Sequence, residues 1–412
     1  MNANRREVMT HTQFDVVIIG AGPAGVAAAL PLLAAGRRVL MLERGPIEPA
    51  KLPETLLITG AAHSAFSEII DQAAVESALP FDVCFIAEDG AHKLRIEYIA
   101  DRGVSGFVRI DRVRFDRLLR QAALDRHAVV RFNESATGVT LPEDADQFAT
   151  VSHSGADGQC TSHARLVIDA SGKACFLRTE LHLEDQGRVL DDRGGWFTHV
   201  LVSDDCRRSL PATVNIVPID DGFLYAVWIN PTRLSIGVTI FTPTSESGEV
   251  QYERAVATIG WLSELLQPGR RVLPVIPVQN REFQVQRIAS PQYLVAGDAG
   301  GFRDPFYCNG IQTALETGER AGLAANDILG SDIARRHDIA AAYQRSYWSS
   351  ITAGDARMAT ALAGSFEPLR HRHLTDPHVP YPISATLVAL AANAAGDVET
   401  QMNSLRRPLR GR

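Results

Sequence analysis

Gly20, Gly22 and Gly25 stand in the spacing Gly-x-Gly-x-x-Gly. They join a β-branched apolar run (residues 14–20) to an alanine-rich run (residues 24–35). A strand, a glycine turn and a helix in that order bind the pyrophosphate of a dinucleotide. Gly20 permits the tight turn, Gly22 lets an anion reach the backbone, and Gly25 lets the helix pack on the strand. The free amides of the first helical turn, where Ala24 lies, attract negative charge. Glu43, with Arg44 beside it, closes the next strand 23 residues after Gly20. There an acid can bind the adenosine ribose hydroxyls. A second glycine-dense stretch, GDAGGFRDPFYCNGIQTALETG, covers residues 297–318. It ends an apolar strand, carries an acid at Asp298, and starts a helix after Asn309-Gly310.

The composition limits what such a site serves. The chain has 412 residues, enough for two domains or one with a large insertion. Its net charge is −7, and no basic and aromatic platform for nucleic acid is present. Lysine occurs only at Lys51, Lys93 and Lys173, which restricts the candidates for a catalytic amine. Cys84, Cys160, Cys175, Cys206 and Cys308 are scattered, without a Cys-x-x-Cys pair or a metal-ligand spacing. An odd, dispersed set fits a reducing, cytoplasmic setting. The apolar stretch over residues 16–36 is broken by glycine and proline and reads as strand-turn-helix, so no membrane association is expected.

The elements around these motifs follow from periodicity. Residues 14–20, a helix over 24–35 and a strand over 38–43 form a βαβ unit. A helix is expected over 64–78, a half-exposed strand over 91–99, and an amphipathic helix over 111–125. Strands are expected at 129–132, 149–153 and 164–169. Several consecutive strands between residues 195 and 241 point to an antiparallel sheet. A helix follows over 252–266, then a strand at 293–297, a long helix over 311–329, and mainly helix beyond residue 333.

Three segments resemble the FAD monooxygenases of the tryptophan-halogenase-like group. LVAGDAGGFRDPFYCNGI resembles the motif in which Gly-Asp ends a strand and the aspartate, here Asp298, binds the ribitol chain. Pro305, Asn309, Gly310 and Ile311 match the loop and helix start under the pyrimidine edge of the flavin, where a helix N-terminus stabilises the anionic reduced ring. DRVRFDRLLRQAA resembles the Arg-x-x-Phe-Asp helix and makes Arg114 a candidate FAD contact. IDASGKACFLR keeps the spacing, but not every residue, of a motif that aromatic hydroxylases use for FAD and NAD(P)H together. The likeness implies an α/β, Rossmann-like FAD-binding domain of glutathione-reductase type. A mostly antiparallel β-sheet substrate domain is inserted, and the C-terminal part is helical. Residues 14–84, 106–180 and 280–330 would form the discontinuous FAD-binding domain. Residues 85–105 and 181–279 would form the substrate domain, and 331–412 the C-terminal segment and tail.

The implied reaction is attack of a flavin C(4a)-hydroperoxide on an electron-rich ring, with NADH or NADPH as electron donor, directly or through a reductase. Halogenases of the group carry Trp-x-Trp-x-Ile-Pro and a relay lysine. The nearest segment here, FLYAVWINP, holds only Trp228, and none of the three lysines matches. Hydroxylation is therefore expected first, with a tryptophan in a peptide or protein as substrate, as in the flavoproteins of quinone-cofactor (cysteine tryptophylquinone) biogenesis. Halogenation of an indole or pyrrole is the alternative, as is an isoprenoid-type reductase. Glu54, in the loop LPETL, resembles the Gly-Glu-Ser loop beside the ring and is the candidate catalytic residue. His63, Trp196, His199, Tyr225 and Trp228 are candidates for the substrate side, with core packing as the simpler role for each.

Overall fold

The computed structural model describes residues 13–48, 54–58, 66–78, 83–89, 92–98, 106–156, 158–183, 194–202, 214–219, 221–230, 232–240, 242–260, 262, 270–278, 283–302 and 310–362. In chain order the elements begin with β1 (Gln13–Ile19), α1 (Pro23–Ala34), β2 (Val39–Glu43), β3 (Glu54–Ile58), α2 (Ser67–Glu76), β4 (Val83–Asp89), β5 (His92–Tyr98), β6 (Gly106–Ile110) and α3 (Arg112–Leu124). Then come β7 (Val129–Phe132), β8 (Ser135–Thr140), β9 (Ala149–Gly155), β10 (Gly158–Asp169), α4 (Phe176–Glu180), β11 (Gly194–Leu201), β12 (Val214–Ile219), β13 (Gly222–Asn230) and β14 (Arg233–Ile240). The last are α5 (Gly248–Ala257), β15 (Ile276–Pro277), β16 (Phe283–Gln284), β17 (Tyr293–Val295), β18 (Gly301–Phe302), α6 (Gly310–Leu329) and α7 (Ile333–Leu362).

The first sheet has the order β7-β2-β1-β10-β9-β8, with β17 also on β10. Strands β7, β2, β1, β10 and β17 run parallel. Val16, Val17 and Ile18 of β1 are fully buried, because helices cover a parallel sheet on both faces; hence the unbroken apolar run. Strand β10 is long enough to change partner. Residues 158–164 pair antiparallel with β9, and Val167–Asp169 pair parallel with β17. The strand thus carries its end, Asp169, to the level where β1 and β17 also end.

The second sheet has the order β15-β11-β14-β13-β12-β4-β5 and is antiparallel except for β12 on β4. One of its faces carries Val200, Leu224, Ala226, Trp228, Leu234, Ile236 and Val238. They pack with Tyr252, Ala255 and Val256 of α5. The expected antiparallel sheet is there, with β4 and β15 as additional strands.

Some expectations needed correction. The helix expected over 252–266 starts earlier, at Gly248, because the Ser247 hydroxyl accepts from the Val250 N–H and caps it. Strand β8 (Ser135–Thr140) was missed because it is polar and lies at a sheet edge. The LPETL loop is partly strand: β3 begins at Glu54 and pairs with β6, Glu54 opposite Ile110. Helix α7 confirms a helical C-terminal part as far as Leu362.

A buried polar group knits β9 to its neighbours. His153 Nδ1 lies 2.7 Å from Glu134 Oε2, and its Nε2 lies 3.0 Å from Ser162 Oγ. The order Ser-His-Glu suggests a hydrolase, but His153 is fully buried with both ring nitrogens paired to Glu134 and Ser162, and the trio links strands of the sheet. Burial holds the His153 imidazole below the ordinary histidine range, with Glu134 opposing. A folded pKa below the unfolded value of about 6.5 means that the unfolded chain binds more protons between the two. This contribution is therefore complete above about pH 6.5 and is lost as pH falls below it. The urea midpoint should fall on acidification, and His153→Gln should flatten the curve by at most about 1.4 kcal/mol per pH unit. Parallel curves for the two proteins would show that His153 protonates freely in the folded state.

Candidate functional site

The turn after β1 is built on contacts that exclude side chains. Gly20 has φ +103°, and its N–H donates to Leu42 O at 2.8 Å. A Cβ there would overlap the Ala170 carbonyl, and one on Gly25 would overlap the Gly20 carbonyl. Gly22 differs. It is the N-cap of α1 with φ −78°, and a Cβ added there would meet no atom within 4 Å. No side chain caps the first amides of α1. Gly20 and Gly25 are thus fixed by packing, whereas Gly22 opens onto space beside unpaired donors. A pyrophosphate fits that space and those donors.

Glu43 reaches back into this turn. Its Oε2 accepts from the Ala21 N–H at 2.9 Å and lies 3.3 Å from Arg120 Nη2; its Oε1 accepts from the Gly45 N–H at 2.9 Å. The acid expected to meet a ribose therefore also locks the loop, and its oxygens keep spare lone pairs for a ligand. The cation that completes the lock is Arg120 on α3, which was not singled out from the sequence. It is 3% exposed, and it donates from Nε to Ala21 O (2.8 Å) and from Nη1 to Pro46 O (2.8 Å) and Ile47 O (2.7 Å). Arg114 has an exposed side chain, and its N–H donates to the Asp111 cap at 3.2 Å. Arg44 is exposed at the end of β2.

The turn after β17 is gripped from behind. Gly297 has φ +60°. Its N–H donates to Thr317 Oγ1 at 2.9 Å, and its carbonyl accepts from Tyr347 OH at 2.8 Å. Tyr343 OH donates to Val295 O at 2.8 Å and to Thr317 O at 3.3 Å. These tyrosines lie on α7, outside the segment that carried the sequence resemblance. A Cβ on Gly300 would stand 2.6 Å from Tyr347 OH, so this glycine makes room for the tyrosine. Asp298 is half-buried between the buried Gly297 and Ala299. Gly310 opens α6 with nothing within 4 Å of an added Cβ, and Ile311 is 4% exposed. Pro305 and Asn309 lie outside the described residues.

A third turn follows β10. The buried Asp169 carboxylate accepts from the Ser171 N–H (2.9 Å) and the Leu177 N–H (2.7 Å), and burial pushes its pKa up. Cys175 has φ +48°; burial, with Asp169 next, pushes its thiol up to about 11, so it is no thiolate nucleophile. Lys173 Nζ sits 3.7 Å from the centroid of the Phe302 ring, and the Arg178 guanidinium 5.1 Å from that of Phe283. Phe283 and Phe302 face each other in the β16–β18 pair.

The remaining candidates scatter. Trp228 is buried in the core behind α5, and the Trp196 ring lies against Gly194 and Gly248. Tyr225 lies across Gly237, and His199 is buried on β11. Lys93 lies on β5, the last strand of the second sheet. Lys51 and His63 lie outside the described residues. Among the described residues no three His, Cys, Asp or Glu side chains group to hold a metal, and no helix is long and apolar enough to cross a membrane.

A family model described as FAD binding domain matches residues 13–318. The 1H-pyrrole-2-carbonyl-[peptidyl-carrier protein] chlorinase of Pseudomonas fluorescens is 24% identical over 78% of this chain and 77% of its own length. The tryptophan 2-halogenase of Chondromyces crocatus is 22% identical over 81% of the chain, which spans only 64% of that protein. The putative FAD-dependent oxidoreductase LodB of Marinomonas mediterranea is 24% identical over 80% of the chain and 90% of its own length. Among solved structures, a mutant of the halogenase PltM in complex with FAD superposes with a TM-score of 0.69 at 18% identity, over 85% of this chain and 76% of that one.

Two predictions separate the ligand from the scaffold. Gly22→Ala should fold with a loss below about 1 kcal/mol, since a capping glycine is exchanged in open space. Its bound flavin, read from the visible absorbance per protein, should drop at least about tenfold. Gly20→Ala should fail to fold. An unchanged flavin content in Gly22→Ala would remove the anion from that turn. Arg120→Met should lose about 3 kcal/mol in urea unfolding, because Glu43 and three carbonyls are left without their partner. Arg114→Met should change stability by less than about 0.5 kcal/mol. Equal losses in the two variants would contradict the assignment of Arg120 as the strut.

Proposed function

The chain belongs to the FAD-binding domain family, and from that premise we propose that it is an FAD-dependent halogenase of an electron-rich heteroaromatic ring, an indole or a pyrrole. The observation that carries this reading is its relation to the pyrrole chlorinase across more than three quarters of both chains. The halogenase relatives support halogenation over the hydroxylation of a protein tryptophan that the motifs alone suggested.

When bound, reduced FAD supplies the electrons that activate dioxygen. The residues of this chain bind, orient and shield it. The amides at Gly22 and the start of α1 receive the pyrophosphate. Glu43 turns its spare lone pairs to the adenosine ribose, and Asp298 serves the ribitol. The N-terminus of α6, at Gly310 and Ile311, would favour negative charge on a ring bound beside it. NADH or NADPH provides the electrons, through a separate reductase or directly. The residues 14–84, 106–180 and 280–330 act as the cofactor domain, and the second sheet covers the substrate.

Hydroxylation is the second reading, and two observations favour it. Lys173 is engaged by the Phe302 ring, and Trp228, the tryptophan nearest the halogenase motif, is buried in the core. A peptide or protein tryptophan would then be the substrate, with Glu54 beside the ring, and the relation to LodB over most of its length supports that branch.

The test supplies the purified protein with FAD, a flavin reductase, NADH, air and bromide, and offers indole and pyrrole-2-carboxylate. The expected product has one ring hydrogen replaced by bromine, seen as the bromine isotope doublet by mass spectrometry. Gain of one oxygen without bromine would establish the second reading. In a parallel assay with a polyprenyl lipid as the only substrate and no air, saturation of its double bonds, with neither ring changed in the first assay, would overturn both.

A further inference from the structure

The second sheet has one face packed on α5. By the alternation of its strands the other face carries Phe197 and His199 of β11, Ser235 and Gly237 of β14, and Tyr225 and Val227 of β13. Phe197 and Tyr225 both sit opposite Gly237. The Tyr225 ring crosses that glycine, where a Cβ would overlap it. Three neighbouring strands thus present a flat aromatic strip. His199 lies at its end, its ring 5.5 Å from that of Phe197 and tilted by 50°.

His199 is 4% exposed, and neither ring nitrogen has a hydrogen-bond partner among the described residues. A neutral imidazole has one donor and one acceptor, and burying both unpaired costs free energy that a phenylalanine of similar size would not incur. Burial, with Arg233 next, holds its pKa below the ordinary histidine range, so the ring is neutral at neutral pH and keeps its acceptor. The polar groups Arg120, Asp169, Thr317 and Tyr347, which anchor the turns after β1, β10 and β17, have their partners within the fold.

We propose that His199 accepts a hydrogen bond from the ring N–H of the substrate, which lies on the strip formed by Phe197, Gly237 and Tyr225. This residue then selects heteroaromatic rings that carry an N–H over those that do not. The inference rests on the reading of the substrate as an indole or pyrrole, and it adds the residue that recognises it.

The experiment measures equilibrium binding of indole and 1-methylindole to the FAD-loaded full chain. The wild type should prefer indole by about tenfold or more, the discrimination expected when loss of a partner strands a buried polar group. His199→Phe should bind both rings equally, keep its FAD, and unfold at a higher temperature than the wild type. His199→Gln, whose amide oxygen also accepts, should retain part of the preference and carries the test if His199→Phe does not fold. A preference that survives in His199→Phe would overturn the proposal, as would a lower unfolding temperature with no change in preference, which marks a packing role. If the FAD-loaded wild type binds neither ring, the substrate reading falls together with this inference. If the preference depends on His199 but no bromide is incorporated, this inference stands and only the reaction type fails.

Discussion

Helices α1 and α6 touch backbone to backbone, and the site depends on that contact. A Cβ on Gly318 would overlap the Ala24 carbonyl, one on Gly322 would overlap that of Ala28, and one on Gly297 would stand 3.0 Å from Ala24 Cβ. Larger residues at these places would separate the helices. The separation would carry the N-terminus of α1 away from the Gly297 turn, and the two would no longer reach one extended ligand. Close packing of a dense interior transmits such a change without absorbing it. The many alanines of α1 have the same cause: they are small because a second helix lies on them.

That contact leaves the turns short of side chains, and the fold fixes them with polar struts from a distance. Arg120 ties the loops after β1 and β2 together through three carbonyls and Glu43. Thr317, Tyr343 and Tyr347 hold the strand end and turn at residues 295–297, and Asp169 holds the turn after β10. Each strut is buried, each has its partners, and together they present backbone of fixed shape toward the ligand. Groups held in this way would preorganise the turns for a ligand, which would meet mostly peptide atoms with the side chains behind them. Burial of Cys175, with the Asp169 carboxylate beside it, also keeps the third turn free of a reactive thiolate.

The first turn was legible in the sequence because its chemistry is local. Gly20, Gly22 and Gly25 fall within six residues, and each is demanded by a contact or an opening at that turn. Glu43 was legible by its spacing, although its bonds to Ala21 and Gly45 were not. Arg120 was illegible: its carbonyl partners lie 73 to 99 residues away, and α3 offers several arginines with nothing local to distinguish them. Tyr343 and Tyr347 were illegible for the same reason, since only the folded path of α7 brings them to Gly297. LPETL carries no alternation and so reads as a loop at Glu54, whereas pairing with β6 makes its end a strand. The unpaired state of His199 is a property of its surroundings on the sheet and leaves no mark in the order of residues.

We propose that one flavin dinucleotide spans the two glycine turns, from the start of α1 to the turn at residues 297–299. Amide hydrogen exchange on the flavin-free and FAD-reconstituted protein tests this directly. FAD should slow exchange in both segments, residues 20–26 and 297–302, with the same saturation midpoint as FAD is titrated. Protection at residues 20–26 alone would mean that only an adenine nucleotide is held there, and would contradict the placement of the flavin across the second turn.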